Sequence, residues 1–217
     1  CIRDSNNLGN TYKFLDRLEE AEESFRQAIA LSSDYLQAHN NLGVTLQEMG
    51  RLEEAEASFR EAIILQPNYA EAHSNLVVTL KDLGRLEDAE ASLRQAIVLK
   101  PDFIDSHYNL GNVLRELTRL IEAEESFRQA ILLDPHHAMA LNNLGATLQD
   151  LGRLSEALNS LKAAITTKPD LAESHNNLGN VFQDLGRVEE AAASYSEAIN
   201  LKPSYADAKL KLGVLLF

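Results

Sequence analysis

Side chains able to do chemistry recur at a fixed spacing along this chain. His39, His73 and His107 stand 34 residues apart, and His175 stands a further two such steps along. Imidazoles in register suggest a metal site. Its ligands would have to reach one ion at about 2 Å, whereas equivalent positions on stacked helices lie roughly 8–10 Å apart, so a packing role is expected. His136 and His137 are adjacent on a turn and would at most make a weak surface metal site. The only thiol is Cys1, and no Gly-rich phosphate loop, HExxH or paired-cysteine motif occurs. No catalytic residue, metal ligand or cofactor is therefore expected, and the chain reads as non-enzymatic.

A row of asparagines is more telling. Asn7, Asn41, Asn75, Asn109, Asn143 and Asn177 each precede a leucine at the same 34-residue step. Asn112 and Asn180 lie three residues further on in their copies, on the same helix face. Asn is a mediocre helix former, and an exposed mid-helix position would otherwise drift among Glu, Lys, Gln and Arg. Two explanations compete: a bond across to a neighbouring helix, or an amide row that holds peptide backbone through its donor and acceptor. The row is read here as peptide-binding. Acids at Glu48, Asp82, Glu116, Asp150 and Asp184 follow the same step. They sit near helix C-termini, where negative charge is unfavourable. Either they pair with Arg51, Arg85, Arg119, Arg153 and Arg187 three residues on, or they face a neutral to basic peptide.

The elements positioning these residues follow from the period. Leu8, Leu42, Leu76, Leu110, Leu144, Leu178 and Leu212 are all 34 residues apart, with no insertion, and a strict period of this length marks a solenoid. The expected units are 2–35, 36–69, 70–103, 104–137, 138–171, 172–205 and a partial seventh, 206–217, in one array over 1–217. Each holds two helical stripes, such as Ala38, Leu42, Leu46 and Met49, then Leu52, Ala55, Phe59, Ala62 and Ile63. Gly50, Gly84, Gly152 and Gly186 fit a helix C-terminus; Asp16 and Thr118 in the same places imply another solution there. Prolines from Pro67 to Pro203 end the units, with Asn68, Asp102, Asp170 and Ser204 as expected N-caps. Ala recurs thirteen and twenty residues after each leucine, from Ala21 and Ala28 to Ala191 and Ala198. A large residue stands between them: Phe25, Phe59, Leu93, Phe127, Leu161 or Tyr195. Small residues bring two helices close, and the large one locks them. The pairs Glu22/Arg26, Glu56/Arg60, Glu90/Arg94 and Glu124/Arg128 read as minor supports on a solvated face.

Leu-Gly, Ala, a large apolar residue, Ala and Pro in one phase resemble the tetratricopeptide repeat, although His often stands where that family has Trp. The resemblance implies an all-α, right-handed superhelical solenoid of antiparallel helix pairs, with the first helices lining the concave side. The asparagine row is similar to that in the repeat array of O-linked N-acetylglucosamine transferases, which implies that the six ladder asparagines hold extended peptide. The positions used by repeats that clamp chaperone carboxylates here carry neutral or acidic residues, apart from Arg3 and Lys211.

Bulk properties bound the partners. With 33 acids against 20 bases the net charge is −13, so a phosphate backbone is repelled and nucleic acid is not expected. No apolar run approaches the roughly 18 residues that span a membrane, and one cysteine gives an oxidising compartment no support. A cytoplasmic location, a protein or peptide partner and end-to-end self-association through the terminal "LGVLLF" are the expectations. The chain starts and stops inside repeat units and reads as a segment of something longer. The alternative function is the substrate-recognition arm of a larger enzyme such as a glycosyltransferase.

Overall fold

The computed structural model describes residues 1–215; Leu216 and Phe217, part of the apolar stretch expected to self-associate, lie outside the described residues. The described residues form thirteen α-helices and no strand. First helices of the repeats are α1 (Ile2–Phe14), α3 (Leu36–Glu48), α5 (Ala70–Asp82), α7 (Ile104–Glu116), α9 (Ala138–Asp150), α11 (Ala172–Asp184) and α13 (Ala206–Leu215). Second helices are α2 (Leu18–Leu31), α4 (Leu52–Leu65), α6 (Leu86–Leu99), α8 (Leu120–Leu133), α10 (Leu154–Thr167) and α12 (Val188–Leu201). The helices group into two compact units, Cys1–Asn109 and Leu110–Phe217. In each, a first helix packs on the second helix of its own repeat, and that helix packs on the next first helix.

The internal lock is a knob in a hole. Phe25, Phe59, Leu93, Phe127, Leu161 and Tyr195 are fully buried, as are the flanking alanines. The hole is the glycine after the repeat leucine. A Cβ on Gly43 would lie 2.6 Å from the Phe59 ring, and one on Gly111 2.5 Å from Phe127. The third repeat has Val77 instead of glycine and answers it with the smaller Leu93; both are buried.

The turn from first to second helix is a Schellman closure. Arg51 N–H reaches Leu46 O at 2.8 Å and Gly50 N–H reaches Gln47 O at 2.9 Å, with Gly50 at φ +75°. Asp16 (φ 57°) and Thr118 (φ 59°) adopt the same left-handed conformation with the same bond pair, Arg17 to Tyr12 O and Arg119 to Leu114 O. The expectation of a different solution is thus corrected: the closure overrides the residue's preference. The turn between repeats also differs from expectation. Where Asn68 and Asp170 were expected, the N-cap is one residue later, at Tyr69 and Leu171; Tyr35 and His137 stand in the same place before α3 and α9. Asn68 instead follows Pro67 inside a β-turn closed by Tyr69 N–H to Gln66 O at 3.0 Å, where proline presets the second position. Of the caps at Tyr35, Tyr69, His137 and Leu171, only His137 uses its side chain, accepting from Ala140 N–H.

Candidate functional site

The asparagine row runs along the first helices, and its side chains point back toward the preceding first helix. Asn41 Nδ2 donates to Asn6 Oδ1 and Asn10 Oδ1, both at 3.2 Å. Asn75 donates to Asn40 Oδ1 at 3.1 Å and Asn109 to Ser74 Oγ at 3.3 Å. In the second unit Asn143 donates to Asn112 Oδ1 at 2.7 Å and Asn177 to Asn142 Oδ1 at 3.1 Å. The acceptor is two residues before or two after the preceding repeat leucine. Tyr108 occupies the former place in the fourth repeat, and there Asn112 serves instead. Asn112 and Asn180 are therefore acceptors: Asn180 Oδ1 takes Lys211 Nζ at 2.8 Å and Tyr195 OH at 2.9 Å. Burial, with Asp207 and Asp184 adding charge, pushes the Tyr195 phenol up to about 12. The main-chain carbonyls of Asn7, Asn41, Asn75 and Asn143 also accept from threonines one turn on, as Thr45 Oγ1 to Asn41 O at 2.9 Å; Val113 and Val181 stand in that place after Asn109 and Asn177.

Each bridge uses the amide nitrogen. Among the described residues, Oδ1 of Asn41, Asn75, Asn109 and Asn177 accepts no hydrogen bond, and these side chains are half-buried. The Oδ1 of Asn143 accepts from Asn142 at 2.9 Å. Asn7 is exposed.

Glu48, Asp150 and Asp184 pair across repeats rather than with the arginines three residues on. Glu48 pairs with Lys13 at 3.2 Å, Asp150 with Arg115 at 2.9 Å, and Asp184 accepts from Gln149 at 2.6 Å. Each partner lies on the preceding first helix, so these acids form a second inter-repeat row. Asp82 and Glu116 occupy the same place on α5 and α7 and are exposed. The arginines are engaged elsewhere. Arg51 forks onto Glu54 at 2.7 Å and reaches back to Glu22 at 2.5 Å. Arg85 and Arg153 reach Glu56 and Glu124 at 2.7 and 2.6 Å. Glu22, Glu56 and Glu124 also hold Arg26, Arg60 and Arg128 in their own helices. With side chains only 14, 12 and 10% exposed, they are inter-repeat hubs rather than members of a solvated face. Burial alone would raise the Glu22 carboxyl, but Arg26 and Arg51 outweigh it and hold it below the usual glutamate range.

The histidines pin turns. Nε2 of His39, His73, His107 and His175 lies 2.8–2.9 Å from the carbonyl of Ser33, Pro67, Pro101 and Pro169, so Nε2 carries the proton. Among the described residues no group of three or more His, Cys, Asp or Glu is placed to hold a metal, and no helix is long and apolar enough to cross a membrane.

Stacked helix pairs at a 34-residue step, locked by a large residue between two alanines, decide the repeat class. A family model described as the cilia and flagella-associated protein 70 C-terminal domain, a tetratricopeptide-repeat domain, matches residues 3–211. The chain belongs to this family. Among curated proteins no sequence match was found. Solved tetratricopeptide-repeat structures are similar. YrrB, described as having an unusual peptide-binding site, is 24% identical at a TM-score of 0.69, covering 88% of this chain and 98% of its own. TTC0263 of Thermus thermophilus is 25% identical at 0.67, covering 83% and 98%. PilW, a type IV pilus biogenesis factor, is 19% identical at 0.83, covering 97% and 98%.

This tetratricopeptide-repeat domain also carries clefts that the sequence reading missed. They open between consecutive second helices, away from the asparagine row. One of about 360 Å³ is lined by Ile29, His39 and Leu42, and one of about 320 Å³ by Ile63, His73 and Leu76. A third of about 570 Å³, lined by Ile131, Leu141 and Leu144, is wider where leucine replaces histidine. The available signal was the extra apolar residue late in the second helices: Ile64 and Leu132 are 69 and 74% exposed.

Proposed function

We propose that this domain is a non-enzymatic protein-interaction scaffold that holds extended, neutral to basic peptide segments along its first helices. The unpartnered amide oxygens of Asn41, Asn75, Asn109 and Asn177 are the acceptors for peptide N–H groups. The observation that carries this reading is the seventh copy. There Lys211 makes the inter-helix bridge, to Asn180 Oδ1 at 2.8 Å, with a donor alone. A bridge therefore does not require an amide, and what asparagine adds in the other copies is a carbonyl fixed in place by its own bridge. Such pre-organisation lowers the cost of binding, and many modest contacts add up along a repeat array. YrrB indicates that the repeat can host a peptide site.

The test uses Asn75→Lys with Asn109→Lys, which keep a donor and remove the acceptor, alongside the matching alanine pair. Binding is read on an array of random extended peptides. Retained helicity and Tm with roughly tenfold weaker binding, as expected for two lost hydrogen bonds, supports the groove. Undiminished binding in both variants sinks it and moves attention to the second-helix clefts.

A further inference from the structure

The amide row changes character at α13. The residue before the repeat leucine is there Lys211, not asparagine. Its ammonium goes to Asn180 Oδ1 and to Asp207 Oδ2, both at 2.8 Å. It does not go to Asn176, the residue in register with the acceptors Asn6, Asn40 and Asn142. Asn176 is 3% exposed; its Nδ2 donates to Asp207 at 3.0 Å, and its Oδ1 is buried with no partner among the described residues. Asn142, one repeat earlier, receives both Asn177 Nδ2 and Ser174 Oγ on the equivalent oxygen.

We propose that Lys211 is a specificity residue that interrupts the peptide row at the seventh copy: it keeps the bridge to α11 but offers a cation where the other copies offer a carbonyl, so a bound segment that reaches Asn177 finds no backbone acceptor at the next step. The inference rests on the peptide reading above. An asparagine at 211 would stand 35 residues after Asn176, the same separation as Asn177 from Asn142, and would supply the missing donor. The orphaned carbonyl is thus the cost of that interruption, because a buried acceptor without a partner destabilises the fold.

The experiment compares the unmodified chain with Lys211→Asn and Lys211→Met. Thermal unfolding reads the first half: Lys211→Asn gains a few degrees, whereas Lys211→Met, with no amide, gains none. Binding of fluorescein-labelled Thr-Lys-Ser repeat peptides of increasing length reads the second half. In the unmodified chain affinity stops rising at a shorter length, and in Lys211→Asn the longest peptides bind about fivefold tighter, the yield of one further hydrogen bond. An unchanged Tm in Lys211→Asn, or a length dependence identical in the two proteins, overturns the inference while leaving the peptide reading intact. If neither protein binds any of these peptides, and the random array also fails, the peptide reading falls and takes this one with it.

Discussion

Thr118 is a β-branched residue held at φ 59°, where four equivalent turns use glycine. A left-handed backbone costs an L-residue roughly 1–2 kcal/mol. Thr118→Gly should recover about 1 kcal/mol after glycine's larger unfolded-state entropy is deducted, seen as a higher denaturant midpoint at unchanged slope. Ser106 makes the complementary case. It is fully buried and its hydroxyl has no partner among the described residues, while alanine occupies the same place in Ala38, Ala72 and Ala140. Ser106→Ala should stabilise by about 1 kcal/mol, and a loss on chemical denaturation would mean the hydroxyl is satisfied in solution. At this scale the sequence was only partly readable. The asparagines stood out because their type is wrong for an exposed helix. Their direction of donation did not, since it depends on which neighbour lies within hydrogen-bond reach. The arginine partners were misassigned for the same reason: Arg51 is three residues from Glu48 and also three from Glu54, and only the turn between the helices decides for Glu54.

Between elements, the contact of glycine with the large knob sets how closely the two helices of a repeat approach. Gly43→Ala places a methyl 2.6 Å from Phe59, an overpacking that costs about 1–3 kcal/mol. Phe59→Leu in the same chain should return most of that loss, because Val77 with Leu93 already realises a larger-with-smaller pairing. A double-mutant cycle measures the coupling; strictly additive losses would show that the backbone, not the ring, absorbs the methyl. Helix number, order and period were legible because apolar spacing and turn residues repeat in phase. The N-caps were misplaced by one residue because Pro-Asn and Pro-Asp serve a β-turn as readily as a cap, and only the bond from Tyr69 to Gln66 distinguishes them.

Over each whole unit, polar bridges on both helix layers join one repeat to the next. The Glu22 carboxyl is held low in the folded chain. Its contribution to stability is therefore present above the ordinary glutamate pKa of about 4.3 and is lost as pH falls through the lower folded value. Glu22→Gln should flatten the acid limb of the stability curve below about pH 4, and added salt should mimic part of the change. An acid limb identical to that of the unmodified chain would remove Glu22 as a hub. The clefts between second helices were missed because each is made by three elements: the exposed Ile64 and Leu132 mark a face, and a repeat pattern reports faces rather than the gaps between them.

The bridges made by the asparagines that precede the repeat leucine share one orientation: the donor is on the later helix and the acceptor on the earlier one, from Asn41 to Asn6 through Asn177 to Asn142. Arg51, Arg85 and Arg153 follow the same rule toward Glu22, Glu56 and Glu124. A ribosome delivers the chain in that order. Within either unit, each emerging repeat meets a finished surface that already carries its half of each bridge, amide and carboxylate acceptors in these two rows and the donors Lys13, Arg115 and Gln149 in the row of acids, so vectorial synthesis builds the array by accretion, one repeat at a time.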